Sequence, residues 1–255
     1  MTAQVSWVRD ALRAEGIDIT GLLLGDANPT ALLLRDRAVD ARTTTVEYFR
    51  SGSAGAALGP DDLAIAMVRS ASIIFISGIT AMLSPSSLAY VNALFDVCEA
   101  AAIHVCFDPN VRWRLADATR WKHVMPPLMA RADTLFVGED ELVTLGLNPD
   151  AATLLSERTS VVVVKRGASG VEVVTPHERF VERARPVDVI DTVGAGDAFA
   201  GGWISAVLRG KNPRDAAHAA SVVASLVVAT PGDTSGLPTL PELEALIQTG
   251  ANVVR

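Results

Sequence analysis

Asp191-Thr192-Val193-Gly194-Ala195-Gly196-Asp197, running straight into the apolar stretch 198–208, decides how this chain folds. Residues 186–190 ahead of it read as a short strand, so a strand, a glycine turn and the start of a helix follow one another. Gly194 and Gly196 admit backbone conformations closed to other residues and let a ligand come close, while the first N–H groups of the helix, which have no partner within it, point outward. An anion is welcome at such a turn. Asp197 is the anomaly, because a carboxylate repels a resting phosphate. General base is the role that reconciles the two. Asp197 would take the proton of an attacking hydroxyl while Gly194, Ala195 and Gly196 form an anion hole that, with a metal ion, stabilises charge on the transferring group. The plainer alternative is a helix cap, a position that Asp favours.

Specificity separates these readings. Gly-x-Gly-Asp alone is expected by chance in roughly one chain in fifteen of this length, and adding Asp-Thr at the fixed spacing lowers that to about one in several thousand. A dinucleotide fingerprint needs a third small residue where Phe199 stands, and a P-loop needs Gly-Lys-Ser/Thr, which the sequence lacks.

Working outward, residues 60–165 alternate helix and buried strand. Helices are expected over 61–70, 85–102, 121–131 and 139–145, and strands over 73–76, 104–107, 134–137 and 161–164. This alternation predicts an α/β fold with a mostly parallel central sheet covered by helices, its ligands outside the carboxyl ends of the strands. Residues 170–174 and 180–183 read as a closing antiparallel hairpin. Apolar helices follow over 195–209 and 214–229, with a last one from about residue 240. Before residue 60 the spacing predicts a helix over 5–15, ended by Gly16, then strands over 17–24, 31–35 and 43–49 that form a small antiparallel β lid. One domain spanning 1–255 is expected, with the lid strands inside 17–50.

Composition removes several classes of function. With 22 Lys and Arg against 29 Asp and Glu, a formal charge of −7 and no basic run, neither nucleic acid nor an anionic membrane is an expected partner. No apolar stretch approaches the ~20 residues that span a bilayer, and residues 1–10 do not read as a secretory signal, so the cytoplasm is the expected compartment. Cys98 and Cys106 fit neither a disulfide framework nor a CxxC site.

At 191–202 the chain resembles the ribokinase-like (PfkB) family of carbohydrate kinases, whose signature runs Asp-Thr-x-Gly-Ala-Gly-Asp before an apolar helix. Tyr48-Phe49-Arg50 with Ser51-Gly52-Ser53-Ala54, then Ser77-Gly78-Ile79-Thr80, then Asp108-Pro109-Asn110-Val111-Arg112 resemble, in order, the subgroup that phosphorylates 2-keto-3-deoxygluconate. The resemblance implies phosphate transfer from ATP with magnesium to a sugar or sugar acid, and leaves a monovalent cation open. It implies that Arg50 and Arg112 hold the substrate's carboxylate beside Tyr48, a task suited to the planar guanidinium. It also implies that Asn110, Arg112, Lys165, Gly167, Gly170, Gly194, Gly196 and Ser221 serve the nucleotide, with Glu141 contributing indirectly to the metal. The residues leave other readings open: surface arginines at 50 and 112, a core tyrosine at 48, a turn at Asp108-Pro109-Asn110, and first-turn acids at 139–141.

Two departures accompany the resemblance. The family's Asn-x-x-Glu tetrad is here Gly138-Glu139-Asp140-Glu141. Family chains are also expected to begin roughly 50 residues earlier, since a complete domain of this fold exceeds average domain size. Alternatives to a sugar-acid kinase are therefore a kinase for a neutral sugar such as ribose or fructose, and a catalytically silent nucleotide- or sugar-binding remnant. The lid strands would expose an apolar face if left alone, which predicts a homodimer formed through the lid.

Overall fold

The computed structural model describes residues 3–24, 27–37 and 44–249, and the chain forms two compact units that divide after Arg131. In the first unit, α1 (Ala3–Ala14) ends at Gly16, whose φ of 74° lets Ile17 N–H turn back to the carbonyl of Leu12 at 3.1 Å. Strands β1 (Leu32–Arg37) and β2 (Thr44–Phe49) pair antiparallel, Leu32 opposite Phe49 and Leu33 opposite Tyr48. After α2 (Ile65–Ser70) come β3 (Ile73–Ser77), α3 (Gly78–Leu83), α4 (Pro85–Ala100), β4 (His104–Asp108) and α5 (Ala118–Met129).

The register of the parallel pair β3 and β4 brings Ser77 level with Asp108, so both strands finish side by side. Gly78 makes this possible: a β-carbon there would lie 2.4 Å from the carbonyl oxygen of Pro109. Helix α4 begins at a reciprocal cap, with Ser87 N–H donating to Ser84 Oγ at 3.0 Å and Ser84 N–H to Ser87 Oγ at 2.9 Å. It packs on β4 through Phe95 and Phe107, both fully buried with ring centres 5.9 Å apart.

The second unit contains β5 (Thr134–Gly138), α6 (Glu139–Leu145), β6 (Val161–Lys165), β7 (Val171–Val174), β8 (Arg179–Glu182), α7 (Ala195–Leu208), α8 (Pro213–Val228) and α9 (Leu240–Thr249). Strands β5 and β6 run parallel with Gly138 beside Lys165, and β7 and β8 continue antiparallel. β5 and β7 are buried along their whole length, as strands covered on both faces must be. Phe199 and Trp203 of α7 meet Phe136 of β5 edge-on at 6.3 and 6.1 Å. Gly202 lets α8 come close, since a β-carbon there would sit 2.9 Å from the Cα of Ala220. The expected class, a mostly parallel α/β arrangement with a small antiparallel sheet, is the observed one.

Several expected elements differ. Residues 17–24 form no strand: turns interrupt them, with Leu22 N–H donating to Ile19 O at 3.0 Å. Residues 186–190 are not a strand either, because Ile190 and Asp191 direct their N–H groups to the carbonyl of Val228 at the end of α8 instead of to a ladder. The helix expected over 61–70 is split into a 3₁₀ turn, Pro60–Asp62, and α2, the chain extending at Leu63. Helix α3 was not expected. Gly25, Asp26 and Thr43, in the expected turn and strand there, lie outside the described residues. No helix among the described residues is long and apolar enough to cross a membrane.

Candidate active site

In the second unit the site is built on the entry to α7. Asp191 is buried, and its Oδ1 accepts from Val193 N–H at 3.1 Å, closing a local turn. Gly194 then takes φ 80° and ψ −11° as the N-cap of α7, and its carbonyl accepts from Ala198 N–H at 2.8 Å. A β-carbon at Gly194 would meet a conformation that L-residues avoid and lie 3.2 Å from the carbonyl oxygen of Asp233. Glycine has no capping side chain, so no side chain closes over the first turn, and the Ala195 N–H donates only weakly, to the Thr192 carbonyl at 3.4 Å. Asp197 stands in that turn, exposed, at the third helical position. The N-cap is therefore Gly194, not Asp197.

Lys165, the last residue of β6, brings its ammonium to the same turn: a β-carbon at Gly196 would lie 3.5 Å from Nζ. Next to it, Gly167–Ser169 forms a 3₁₀ turn, with Gly167 at φ 52° and Gly170 at φ 91°. Gly170 is irreplaceable on space alone, as a β-carbon would fall 2.1 Å from the carbonyl oxygen of Glu182. Ser221 is buried on α8 and donates to the carbonyl of Arg183 at 3.4 Å, a contact within the fold.

Glu141 folds back in the first turn of α6, its Oε2 accepting from Gly138 N–H at 2.6 Å. A side chain at 138 would collide with this arrangement, its β-carbon falling 2.5 Å from Asp140 Oδ1 and 3.2 Å from Glu141 Oε2. Gly138 and the Glu141 cap therefore belong together. Among the described residues, no group of three or more His, Cys, Asp and Glu gathers as a preformed metal cage.

In the first unit Arg50 lies over Tyr48, its guanidinium carbon 4.5 Å from the ring centre. Burial holds the pKa of Arg50 below the ordinary arginine value; Tyr48 opposes this shift, and the like charge of Arg112 adds to it. Arg112 donates through Nη1 to the carbonyl of Val111 at 3.0 Å. At the end of β4, Asp108 Oδ1 accepts from Asn110 N–H at 3.0 Å, and Asn110 Nδ2 donates to Ser77 Oγ at 3.3 Å. Asn110 adopts φ 49°, a left-handed conformation that Asn tolerates better than most residues. The structure thus brings Tyr48, Arg50 and Arg112 together and makes Asp108-Pro109-Asn110 a turn at the strand ends.

Sequence reasoning gave no role to Arg166, whose guanidinium pairs with Glu139 and Glu172, and none to the Ser77 hydroxyl, although Ser77 lies in a matched segment. The available signal was Glu172, a carboxylate inside the otherwise apolar strand Val171–Val174, which requires a cation.

The model of the pfkB family of carbohydrate kinases matches residues 6–240. The chain belongs to this family. It is similar to the 2-dehydro-3-deoxygluconokinase of Bacillus subtilis (strain 168), 32% identical over 97% of this chain and 78% of that protein. Similarity to the enzyme of the same name from Thermoproteus tenax is also 32%, over 93% of this chain and 74% of the relative. A protein described as a ribokinase II of E. coli, solved with ATP and magnesium, superposes with a TM-score of 0.87 at 24% identity, covering 96% of this chain and 79% of that one. As a pfkB carbohydrate kinase, the chain carries the family's Asp191–Asp197 signature on the turn described above.

Gly194→Ala is expected to lower stability by about 1–2 kcal/mol, from the left-handed backbone alone. Urea denaturation of the purified variant checks this; an unchanged midpoint would show that another residue is tolerated at the turn.

Proposed function

We propose that the chain phosphorylates a hydroxyl of a 2-keto-3-deoxygluconate-like sugar acid, with Asp197 as general base and the Gly194–Gly196 turn as anion hole. The observation that carries this reading is the uncapped left-handed start of α7, with Asp197 in its first turn and the Lys165 ammonium against Gly196. The substrate hydroxyl gives its proton to the Asp197 carboxylate as its oxygen attacks the γ-phosphorus of ATP. The bond from that phosphorus to the bridging oxygen breaks, and ADP leaves with the electron pair. In this reading the N–H groups of the turn and Lys165 stabilise the charge that develops on the transferring group.

Magnesium fits this donor set. The ion favours phosphate oxygens, waters and one or two carboxylates over a dedicated protein cage, so it would arrive with ATP and neutralise charge on the phosphates. Glu141, buried and fixed by its bond to Gly138, would serve it indirectly.

The acid character of the substrate rests on Arg50 and Arg112. Two guanidinium groups that repel each other in a partly buried setting are relieved by an anion between them, and a sugar carboxylate is such an anion. Tyr48 braces the first of the pair. The names of the relatives at 32% identity agree with this substrate class.

The hairpin β1–β2 serves as lid and as dimer contact. Alternation puts Leu33 and Tyr48 on one face and Leu32, Leu34, Glu47 and Phe49 on the other, where the three apolar residues are 49%, 57% and 54% exposed; Leu33 is exposed as well, at 46%. A second hairpin would cover that face.

A coupled ATP assay across sugar acids is expected to show Asp197→Asn slower by about 10²- to 10⁴-fold. Equal turnover by the two proteins would remove the base assignment, and no turnover by either would favour the silent remnant. Arg50→Ala is expected to raise KM for the acid sugar by about tenfold or more, the scale of one charge-assisted contact, with KM for ATP unchanged. A neutral sugar preferred by both proteins would shift the substrate class instead. Light scattering is expected to give a dimer; a monomer at micromolar concentration would contradict the lid contact.

A further inference from the structure

Strand β7 buries a carboxylate. Glu172 is only 9% exposed between valines, and such a group must be met by cations. It has two: Arg166 Nη2 lies 2.7 Å from its Oε2, and Arg179 Nε 3.3 Å from its Oε1. Arg166 also reaches Glu139, Nε to Oε1 at 3.1 Å, and Arg179 continues to Asp150. Glu139, Arg166, Glu172, Arg179 and Asp150 therefore form a chain of alternating charge across α6, the β6–β7 loop, β7, β8 and the α6–β6 connection.

Exposed links of such a chain stabilise little by themselves. The place of Arg166 gives this one its consequence. Its N–H donates to Gly170 O at 2.8 Å and its carbonyl accepts from Ser169 N–H at 3.0 Å, so its backbone frames the Gly167–Ser169 turn, with Lys165 immediately before. Its side chain meanwhile grips the first residue of α6, two positions from Glu141. The Nε of Arg166 is buried without a directed hydrogen bond, so the link to Glu139 is a charge contact, while the link to Glu172 is a true hydrogen bond. Only a planar fork can address both carboxylates at once; a lysine in its place would reach one.

We propose that Arg166 is a positioning residue for the nucleotide: it holds the Gly167–Ser169 turn and the acidic first turn of α6 in one register, so that Lys165 is kept in place for ATP. This rests on reading 165–170 as the nucleotide loop. Calorimetric titration of the purified chain with magnesium-ATP separates the two ideas, because it needs no sugar and reports affinity and active fraction independently. Lys165→Met tests the loop; Arg166→Met, Arg166→Lys and Glu139→Gln test the proposal.

The expected result is that Lys165→Met and Arg166→Met both weaken ATP binding, the latter by about tenfold, as loss of an outer-shell partner commonly does. Stoichiometry should stay unchanged. Arg166→Lys should recover part of the loss, and Glu139→Gln, at an exposed partner, should weaken binding by a smaller factor and add nothing on top of Arg166→Met. A merely structural arginine would lower the fraction of binding-competent protein and leave the affinity of the remainder intact. If Arg166→Met and Glu139→Gln keep Kd within about twofold of wild type while Lys165→Met does not, the proposal is overturned and the loop reading stands. If Lys165→Met also leaves Kd unchanged, the loop reading fails and the proposal falls with it. If Arg166→Met does not fold, Glu139→Gln and Arg166→Lys decide alone, and an unchanged Kd in both overturns it.

Discussion

The left-handed backbone of Gly194 is the constraint on which the second unit's chemistry depends. At φ 80° the chain reverses between the buried Asp191 and the first residue of α7, and a β-carbon there would crowd the Asp233 carbonyl oxygen at 3.2 Å. One consequence is that the helix begins without a side-chain cap. The Ala195 N–H reaches only the Thr192 carbonyl, at 3.4 Å, and no side chain closes over the turn as a Ser or Asp at the cap would. Another is that Asp197 falls at the third residue, within the same turn, exposed and not acting as the cap. Asp191 supports both by fixing the approach through Val193 N–H.

Much of this was legible because it is local. Asp191 to Asp197 is contiguous, and strand, turn and helix signals there need no knowledge of distant residues; only the strand over 186–190 failed, since its donors turn to Val228, a partner 38 residues away from Ile190. The α/β class was legible from period alone, because the middles of β5 and β6, Leu135–Val137 and Val161–Val164, read as short unbroken apolar runs, as strands covered on both faces do. Residues 17–24 misled for the same reason: they are apolar enough for a strand, yet Ile17 and Leu23 end up 51% and 58% exposed beside turns. What could not be read was pairing in space. Nothing in Gly138-Glu139-Asp140-Glu141 says that Glu141 caps Gly138 while Glu139 reaches a guanidinium 27 residues on. Ser77 likewise meets Asn110 only because the β3–β4 register makes the two strand ends level.

The first unit uses the same device in a different chemistry. Gly78 lets the chain leaving β3 pass within contact of Pro109, and Asn110 takes a left-handed conformation at the exit of β4, so two strand ends and a turn are compressed into one place. Strain of this kind persists only where the surroundings over-determine it; here Asp108, fully buried, and Ser77 hold Asn110 from both sides. Arg112 follows two residues later, which is how a turn at the strand end delivers a cation toward Arg50.

These arrangements place positive charge locally in a chain whose formal charge is −7. A global basic field would attract nucleic acid and anionic surfaces indiscriminately, and this chain has none. It concentrates a few positive groups instead: Lys165 with the N–H groups of α7 in one unit, Arg50 with Arg112 in the other. Since an interaction between exposed charges fades beyond about 8 Å at physiological salt, the remaining acidic surface does not cancel such clusters. It does exclude anions that cannot reach them. Where the few cations stand is thus set by the backbone around them, and the glycines at 78, 170 and 194 allow that backbone its close approaches.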